Sequence, residues 1–539
     1  MLDVLIKGGW VIDGTGNPAY PADVAIAGDT IAEVGSLASA QAARVIDASG
    51  KLVTPGFVDC HSHTDWSIQT NPTAESTIRQ GVTTEIVGNC GVSNAPVSDL
   101  SRDSVTGRLR TYAYEGSVEW STYREYLQFI QSLGTSCNLA WYVGHNALRA
   151  AAGVLGPTPS EEQLQRMESD LAEALEAGVL GLTTGLEFEP GRTAQTPEIQ
   201  RLARVVGRYG GYYASHIRNR DAHLQEAVDE FVSIVRAGRT EGPIKGEISH
   251  LNVRHNTGAA EGAWGRAVAT LERIRDEGLD VLADCTPYQE GIGVMAAILP
   301  PWVVADGPER AAELLREPEV RQRLRTECDR YWRFIHKGEW HRVRLQSSAE
   351  YPELIGKTFV EISEILGKDP WDCYFDILSA AGPNLDSVAL VAVLFTEEHV
   401  SDTVKHPLFS LAVDMFTTRI DGPLSEQGKH PIAFSGMVHY LTYHVKQKHT
   451  LRLEEAVRKM TSMPATHHGL RDRGLLRKGL KADAVVLDWE RLADVTTVEK
   501  PKAYVRGVDQ VLVNGVLVVD GGEHTGARPG RNLLRDQAS

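Results

Sequence analysis

No apolar run in this sequence approaches the roughly 18 residues that a membrane-spanning helix requires. Its opening, MLDVLIKGGWVIDGTG, also lacks the basic start and the continuous apolar stretch of a secretory leader. These absences exclude a helical membrane protein and lead us to expect a cytoplasmic one. Positive charge is scarce too: 55 Lys and Arg stand against 71 Asp and Glu, a formal net charge of −16, with no long basic run. Such a field repels a phosphate backbone or an anionic membrane, so neither nucleic acid nor membrane is expected as a partner. Six cysteines, at 60, 90, 137, 285, 328 and 373, form no CxxC pair. Most are expected to be buried thiols rather than disulfides.

What is present suits a large buried core: 42% of the 539 residues are hydrophobic and 23% charged. The first part of the chain alternates short β-rich runs with Gly, Asn, Pro and Asp turns. The end returns to that style, with Asn514–Gly515 between apolar runs as a type I′ hairpin signal. We expect a small β-sandwich built from residues 1–54 and 479–539.

The middle alternates strand-like and helix-like segments. Eight apolar runs end in polar residues: GFVDCHSH, TTEIVGNC, NLAWYVGHN, GVLGLTTGLEF, GYYASHIRN, PIKGEISHLN, LDVLADCTPY and FSLAVDMFTT. Amphipathic stretches such as EEQLQRMESDLAEALEAG lie between several of them. The expected fold is α/β, a (β/α)8 barrel of the TIM type over residues 55–478, with its site at the C-terminal ends of the strands. Before the last strand the chain runs on far longer than a βα loop, so an insertion or lid is expected at about 291–370.

Polar residues at those strand ends include His61, His63, Cys90, His145, His216, His250, Asp284 and Asp414. In an extended strand His61 and His63 share one face while Ser62 points away. Imidazole, thiolate and carboxylate are the donors that zinc prefers. One such residue says little, but their joint placement at one end of successive strands points to a metal.

On the segments PGFVDCHSHTD, GVTTEIVGNCGVSNAP, GHNALRAAAG, GLTTGLEFEPG, YASHIRN, ISHLN, AVDMFTT and MTSMPATHHGL, the chain resembles the amidohydrolase superfamily, and within it the N-acyl-D-amino-acid deacylase (D-aminoacylase) family. The resemblance implies one zinc held tightly by Cys90, His216 and His250, and a second, weaker site at His61 and His63 with Cys90 shared. It makes Asp414 the catalytic aspartate, serving a metal-activated water as base and the leaving nitrogen as acid. His145, at the end of the third strand, has two readings that weigh equally: it helps bind the oxyanion of the substrate, or it has a structural role behind the site.

The resemblance breaks where such enzymes hold the substrate carboxylate. In place of the family's lysine, tyrosine, serine and arginine stand Asn252, Thr286, Ile292 and Ile432. We retain these four as substrate-facing positions. With both cations gone from the clamp, a neutral or hydrophobic amide is expected, and Arg254 and Arg419 are the nearby candidates to restore a charge. The expected activity is zinc-dependent hydrolysis of a linear N-acyl C–N bond in a small-molecule amide. The alternatives are a genuine N-acyl-D-amino-acid deacylase, an esterase or carbamate hydrolase, and an inactive scaffold. A homo-oligomer is the other expected partner.

Overall fold

A computed structural model describes residues 2–327 and 333–535, so Cys328 lies outside the described residues. Eight parallel strands form the centre, labelled β1 (Phe57–Asp59), β2 (Val82–Val87), β3 (Asn138–Gly144), β4 (Gly181–Gly185), β5 (Tyr212–His216), β6 (Lys245–Ile248), β7 (Asp280–Cys285) and β8 (Phe409–Leu411). They are the eight runs read from the sequence. Each pairs with the next in order, and β7 reaches β8 across a long connection. The circle closes just past the strands, where Ser62 bridges Met415 and the Asp414 N–H donates to the His61 carbonyl at 2.8 Å. Strands β2 and β3 are buried along their whole length, because a barrel strand has side chains inside on one face and helices over the other.

Helices cover the outside as their periodicity requires. In Glu161–Glu176 the buried residues Met167, Leu171, Ala174 and Leu175 fall on one stripe. Ser160 and Gln163 cap its start reciprocally, each side chain accepting from the other's backbone N–H.

The two chain ends share one mixed sheet of nine strands. Leu2–Val11 is its hub, antiparallel to Tyr20–Ala27 and parallel to Ala42–Asp47 and Leu52–Pro55. Leu52–Pro55 then pairs antiparallel with Ala484–Leu487 and so ties the ends together. Asn514 and Gly515 turn the expected hairpin with φ of +48° and +79°. The final residues depart from expectation: Asn532–Leu533 leave this sheet and pair with β3 of the barrel.

Between β7 and β8 a separate unit folds around a core of its own, including Met295, Phe334, Trp340, Phe359, Trp371, Tyr374 and Leu390. Its antiparallel sheet sets Ala389–Val393 between Glu290–Val294 and Val343–Ser347. The inserted unit therefore runs to Val393 rather than about 370. The helix Pro370–Ala381, capped by Asp369, packs into the same core, and the last strand is the middle of the sheet.

Candidate metal centre and substrate cavity

His61 and His63 follow β1 immediately, on either side of the Ser62 bridge. The alternation read from the sequence holds here: Ser62 Oγ donates to Glu85 at 2.7 Å, while both imidazoles reach Asp414. His63 Nε2 lies 3.1 Å and His61 Nε2 3.2 Å from Asp414 Oδ1. His61 Nε2 is also 3.3 Å from Cys90 Sγ. From the ends of β5 and β6, His216 Nδ1 and His250 Nε2 each come to 3.7 Å from that sulfur.

Atoms of His61, Cys90, His250 and Asp414 all lie within 4.8 Å of one another and could hold a metal ion. His216 reaches that group at Cys90 and His63 reaches it at Asp414. Five expected ligands and the expected catalytic aspartate thus meet at one place.

The backbone pays conformational energy to bring them there. Cys90, His250 and Asp414 have φ of +51°, +34° and +57°, values that cost non-glycine residues about 1–3 kcal/mol each. Gly91, at φ +75°, sits so close to β4 that a Cβ would stand 2.5 Å from the Gly185 nitrogen. The GNCG segment needs its second glycine for that approach.

The outer atoms of the ligands are held as well. Asp284 accepts from His61 Nδ1 at 3.0 Å and from the His250 N–H at 2.8 Å. Glu187 accepts from His216 Nε2 at 2.7 Å. Such partners fix which ring nitrogen faces an ion. Arg220 Nη1 lies 2.9 Å from His250 Nδ1. For His250 to present Nε2 to a metal its proton must sit on Nδ1. Asn252 Oδ1 at 3.1 Å and the His250 carbonyl at 3.3 Å are then the acceptors within reach of Arg220 Nη1.

Burial opposes ionisation of Cys90, yet His61 and hydrogen bonds with His216 and His250 hold its thiol well below the usual range. Asp414, half-buried, is likewise held low by His61, His250 and His63. For His63, burial is outweighed by Asp414 and Cys90, and its imidazole rises to about 9. A thiolate and a carboxylate among imidazoles are a donor set that fits divalent zinc.

Above this cluster opens a cavity of about 660 Å³, walled largely by apolar side chains such as Trp66, Phe188, Ile292, Val294, Phe395 and Phe416. Asn252, Thr286, Ile292 and Ile432 all line it. His145 does not belong to that lining: its helix, His145–Ala151, begins at the strand end and turns the ring to Glu198 Oε1 at 2.7 Å, beside Arg149. Arg254 and Arg419 supply no cavity charge either. Arg254 is paired with Glu187 at 2.6 Å and Asp221 at 2.9 Å, and Arg419 with Asp421 at 3.1 Å.

Sequence reasoning missed two cations on the cavity wall, Arg220 and Lys429. It also missed Glu187 behind His216, although the segment GLEFEPG that carries it was noted.

The sequence profile of the amidohydrolase family matches residues 44–301 and 432–519. The chain is 33% identical to an N-acyl-D-glutamate deacylase from Alcaligenes xylosoxydans xylosoxydans, across 99% of this chain and 97% of the relative. A D-aminoacylase from the same organism is 30% identical across 99% and 98%. Among solved structures, the N-acyl-D-glutamate deacylase of Bordetella bronchiseptica, complexed with zinc and a phosphonate inhibitor, superposes with a TM-score of 0.78 at 30% identity, covering all of both chains. A D-aminoacylase described with a binuclear metal centre matches at TM-score 0.79 and 28% identity over 99% of this chain and 100% of its own.

Proposed function

The chain belongs to the amidohydrolase family, within the D-aminoacylases, and on that premise we propose that it uses zinc to hydrolyse a linear N-acyl C–N bond. The observation that carries the reading is the meeting of His61, Cys90, His250 and Asp414 beneath an apolar-walled cavity.

In this proposal Cys90, His216 and His250 hold one zinc, and His61 and His63 with the shared Cys90 form a second, weaker position. A zinc ion bound there supplies Lewis acidity that polarises the acyl carbonyl and acidifies water. Asp414 takes the proton of the attacking water on a carboxylate oxygen. It then delivers that proton to the nitrogen as the C–N bond breaks, since an amide nitrogen leaves poorly as an anion. While the second position is empty, His61 and His63, both within 3.2 Å of Asp414 Oδ1, aim that carboxylate, and Asp284 aims His61. The same proposal places the protein in the cytoplasm, where its buried free thiols stay reduced.

For the substrate, the apolar lining favours a hydrophobic portion. The four altered clamp positions favour a neutral amide. A second reading, an N-acyl-D-amino acid like those named for the relatives, is favoured by the cationic Arg220 and Lys429 on the same wall. Metal analysis combined with kcat/KM for matched N-acyl-D-amino acids and their amides tests the reading. We expect zinc at one or two per chain and turnover of at least one member of each hydrophobic pair. A chain that retains zinc and cleaves none of these amides, but does cleave esters or carbamates, would overturn it.

A further inference from the structure

Inside the barrel, beneath the metal cluster, lies a second group of ligand-type side chains. Cys60 follows β1, Glu247 stands on β6 and Asp284 on β7. All three are buried, and one ligand atom of each lies within 4.8 Å of the other two. Their surroundings are apolar: Cys60 packs in a core with Val58, Ile86, Ala140, Leu180 and Ala412. Two carboxylates in such a place need a positive partner, because burying them unmatched costs several kcal/mol each, of the order of a lost fold. Asp284 has the His61 ring and the His250 N–H. The ion-pair partners of Glu247 among the described residues are two histidines, His468 Nε2 at 3.2 Å and His467 Nε2 at 3.6 Å from Oε2.

His468 points to what the group holds. Its Nδ1 lies 2.9 Å from the Pro464 carbonyl, which only accepts, so the proton of the neutral ring sits on Nδ1. Nε2 is then a lone pair, 1% exposed with its ring and turned toward Glu247 Oε2. Neither of these two buried atoms has a hydrogen-bond partner among the described residues. A protonated ring would aim its N–H along the line to Oε2, and the pair lacks that alignment. Two acceptors facing one another, with a second carboxylate and a sulfur beside them, are drawn together by a cation. A carbonyl that fixes one ring nitrogen while the other faces acidic ligands is also how proteins present histidine to a metal.

We propose that Cys60, Glu247, Asp284 and His468 form a further metal position, separate from the hydrolytic cluster, that takes a divalent ion of the zinc type. Sulfur, imidazole and carboxylate are the donors zinc prefers, and a set of four from the protein closes the site to substrate. On binding, the Cys60 thiol gives its proton to solvent. The ion ties β1, β6 and β7 to the segment that follows the helix Ser462–His467, and it holds Asp284, which fixes His61. Its way in runs past His467, which lines a surface pocket of about 390 Å³ together with Lys245 and Asp280.

The test uses cobalt(II), whose thiolate complexes absorb in the near ultraviolet, in the full chain carrying Cys90→Ser. That change removes the only thiol of the hydrolytic cluster, so a thiolate-to-cobalt band that remains comes from another cysteine. We expect a band of about one thiolate per chain. Adding Cys60→Ser should abolish it, and adding His468→Gln should weaken cobalt binding at this position at least about tenfold. Adding Cys137→Ser, a change at another buried thiol, should leave it as it was. With Cys90 intact, metal analysis reads the same position: Cys60→Ser should carry about one zinc fewer than the parent.

No thiolate band once Cys90 is replaced, a band that survives Cys60→Ser, a band equally lost with Cys137→Ser, or equal zinc in the parent and Cys60→Ser overturns the proposal. If Cys60→Ser does not fold, the His468→Gln titration decides, and unchanged affinity there overturns it. The position stands apart from the hydrolase reading: a band that depends on Cys60 in a chain that cleaves no amide would sink that reading and leave this one intact.

Discussion

On the floor of the cavity Cys90, His250 and Asp414 sit on left-handed backbone, and their side chains meet one another and the pair His61 and His63 at 3.1–3.7 Å. On its wall Ile292 and Val294 stand on the regular strand Glu290–Val294 and are 39% and 38% exposed. The floor is built by the ends of β1, β2, β5, β6 and β8, elements that the barrel core fixes rigidly. Much of the wall comes from the inserted unit, which has its own core and can change without disturbing the barrel. Strain and convergence mark where chemistry needs exact geometry, and smooth apolar surface marks where only a substrate's shape is read.

The contrast is broken most sharply at Asp414. Asp414→Asn keeps the shape and removes the proton acceptor, so kcat should fall about a thousandfold with the fold and zinc content retained. A fall under tenfold would mean that the floor does not hold the base.

Glu198 sharpens the comparison from outside the cavity. It is 4% exposed and takes both Arg149, at 2.6 and 2.8 Å, and His145, at 2.7 Å. Glu198→Gln leaves a buried guanidinium without its counter-charge, and we expect a loss of about 3 kcal/mol in unfolding free energy. Activity per folded molecule should change less than about threefold, because neither residue lines the cavity. A large fall in kcat at unchanged stability would return His145 to the substrate.

The floor was legible in the sequence and most of the wall was not, for physical reasons. A metal ligand must be His, Cys, Asp or Glu and must sit at a strand end, so residue type and strand pattern together single out His61, His63, Cys90, His216, His250 and Asp414. His145 satisfies the same two conditions. What separates it is a helix that starts at the residue itself and turns the ring outward. Arg220 lies four residues after His216 in a loop, where nothing in HIRNRD tells whether a cation faces solvent or cavity. That depends on Asn252 and His250, brought in by a different strand. The inserted unit's extent was hidden similarly, since ALVAV at 389–393 reads as a strand but its partners are set by tertiary pairing.

A smaller effect probes whether the wall is dry. Burial, with His439 adding repulsion, pushes His430 down to about 3, against an ordinary value near 6.5. Between those values the unfolded chain binds a proton that the folded chain refuses. Stability therefore rises with pH across the window and is lost as pH falls below about 6.5. His430→Asn still offers an oxygen to the Ile432 N–H but does not titrate. From pH 7 to pH 5 the parent should lose up to about 2 kcal/mol more than this variant in denaturant unfolding. Equal losses would show water or charge already beside His430.

The smallest effect tests the wall as an acyl surface. Ile292 is already 39% exposed, so Ile292→Ala should move unfolding free energy by no more than about 0.5 kcal/mol. A long acyl chain lying on that side chain would lose contact with one or two methylene equivalents at about 0.8 kcal/mol each, roughly a four- to fifteenfold fall in kcat/KM. An acetyl group is too short to reach it and should be unaffected. The informative quantity is the ratio of octanoyl to acetyl substrates in the parent and the variant. If both fall together, Ile292 supports the floor through the inserted sheet, and the separation between chemistry below and selection above does not hold at this strand.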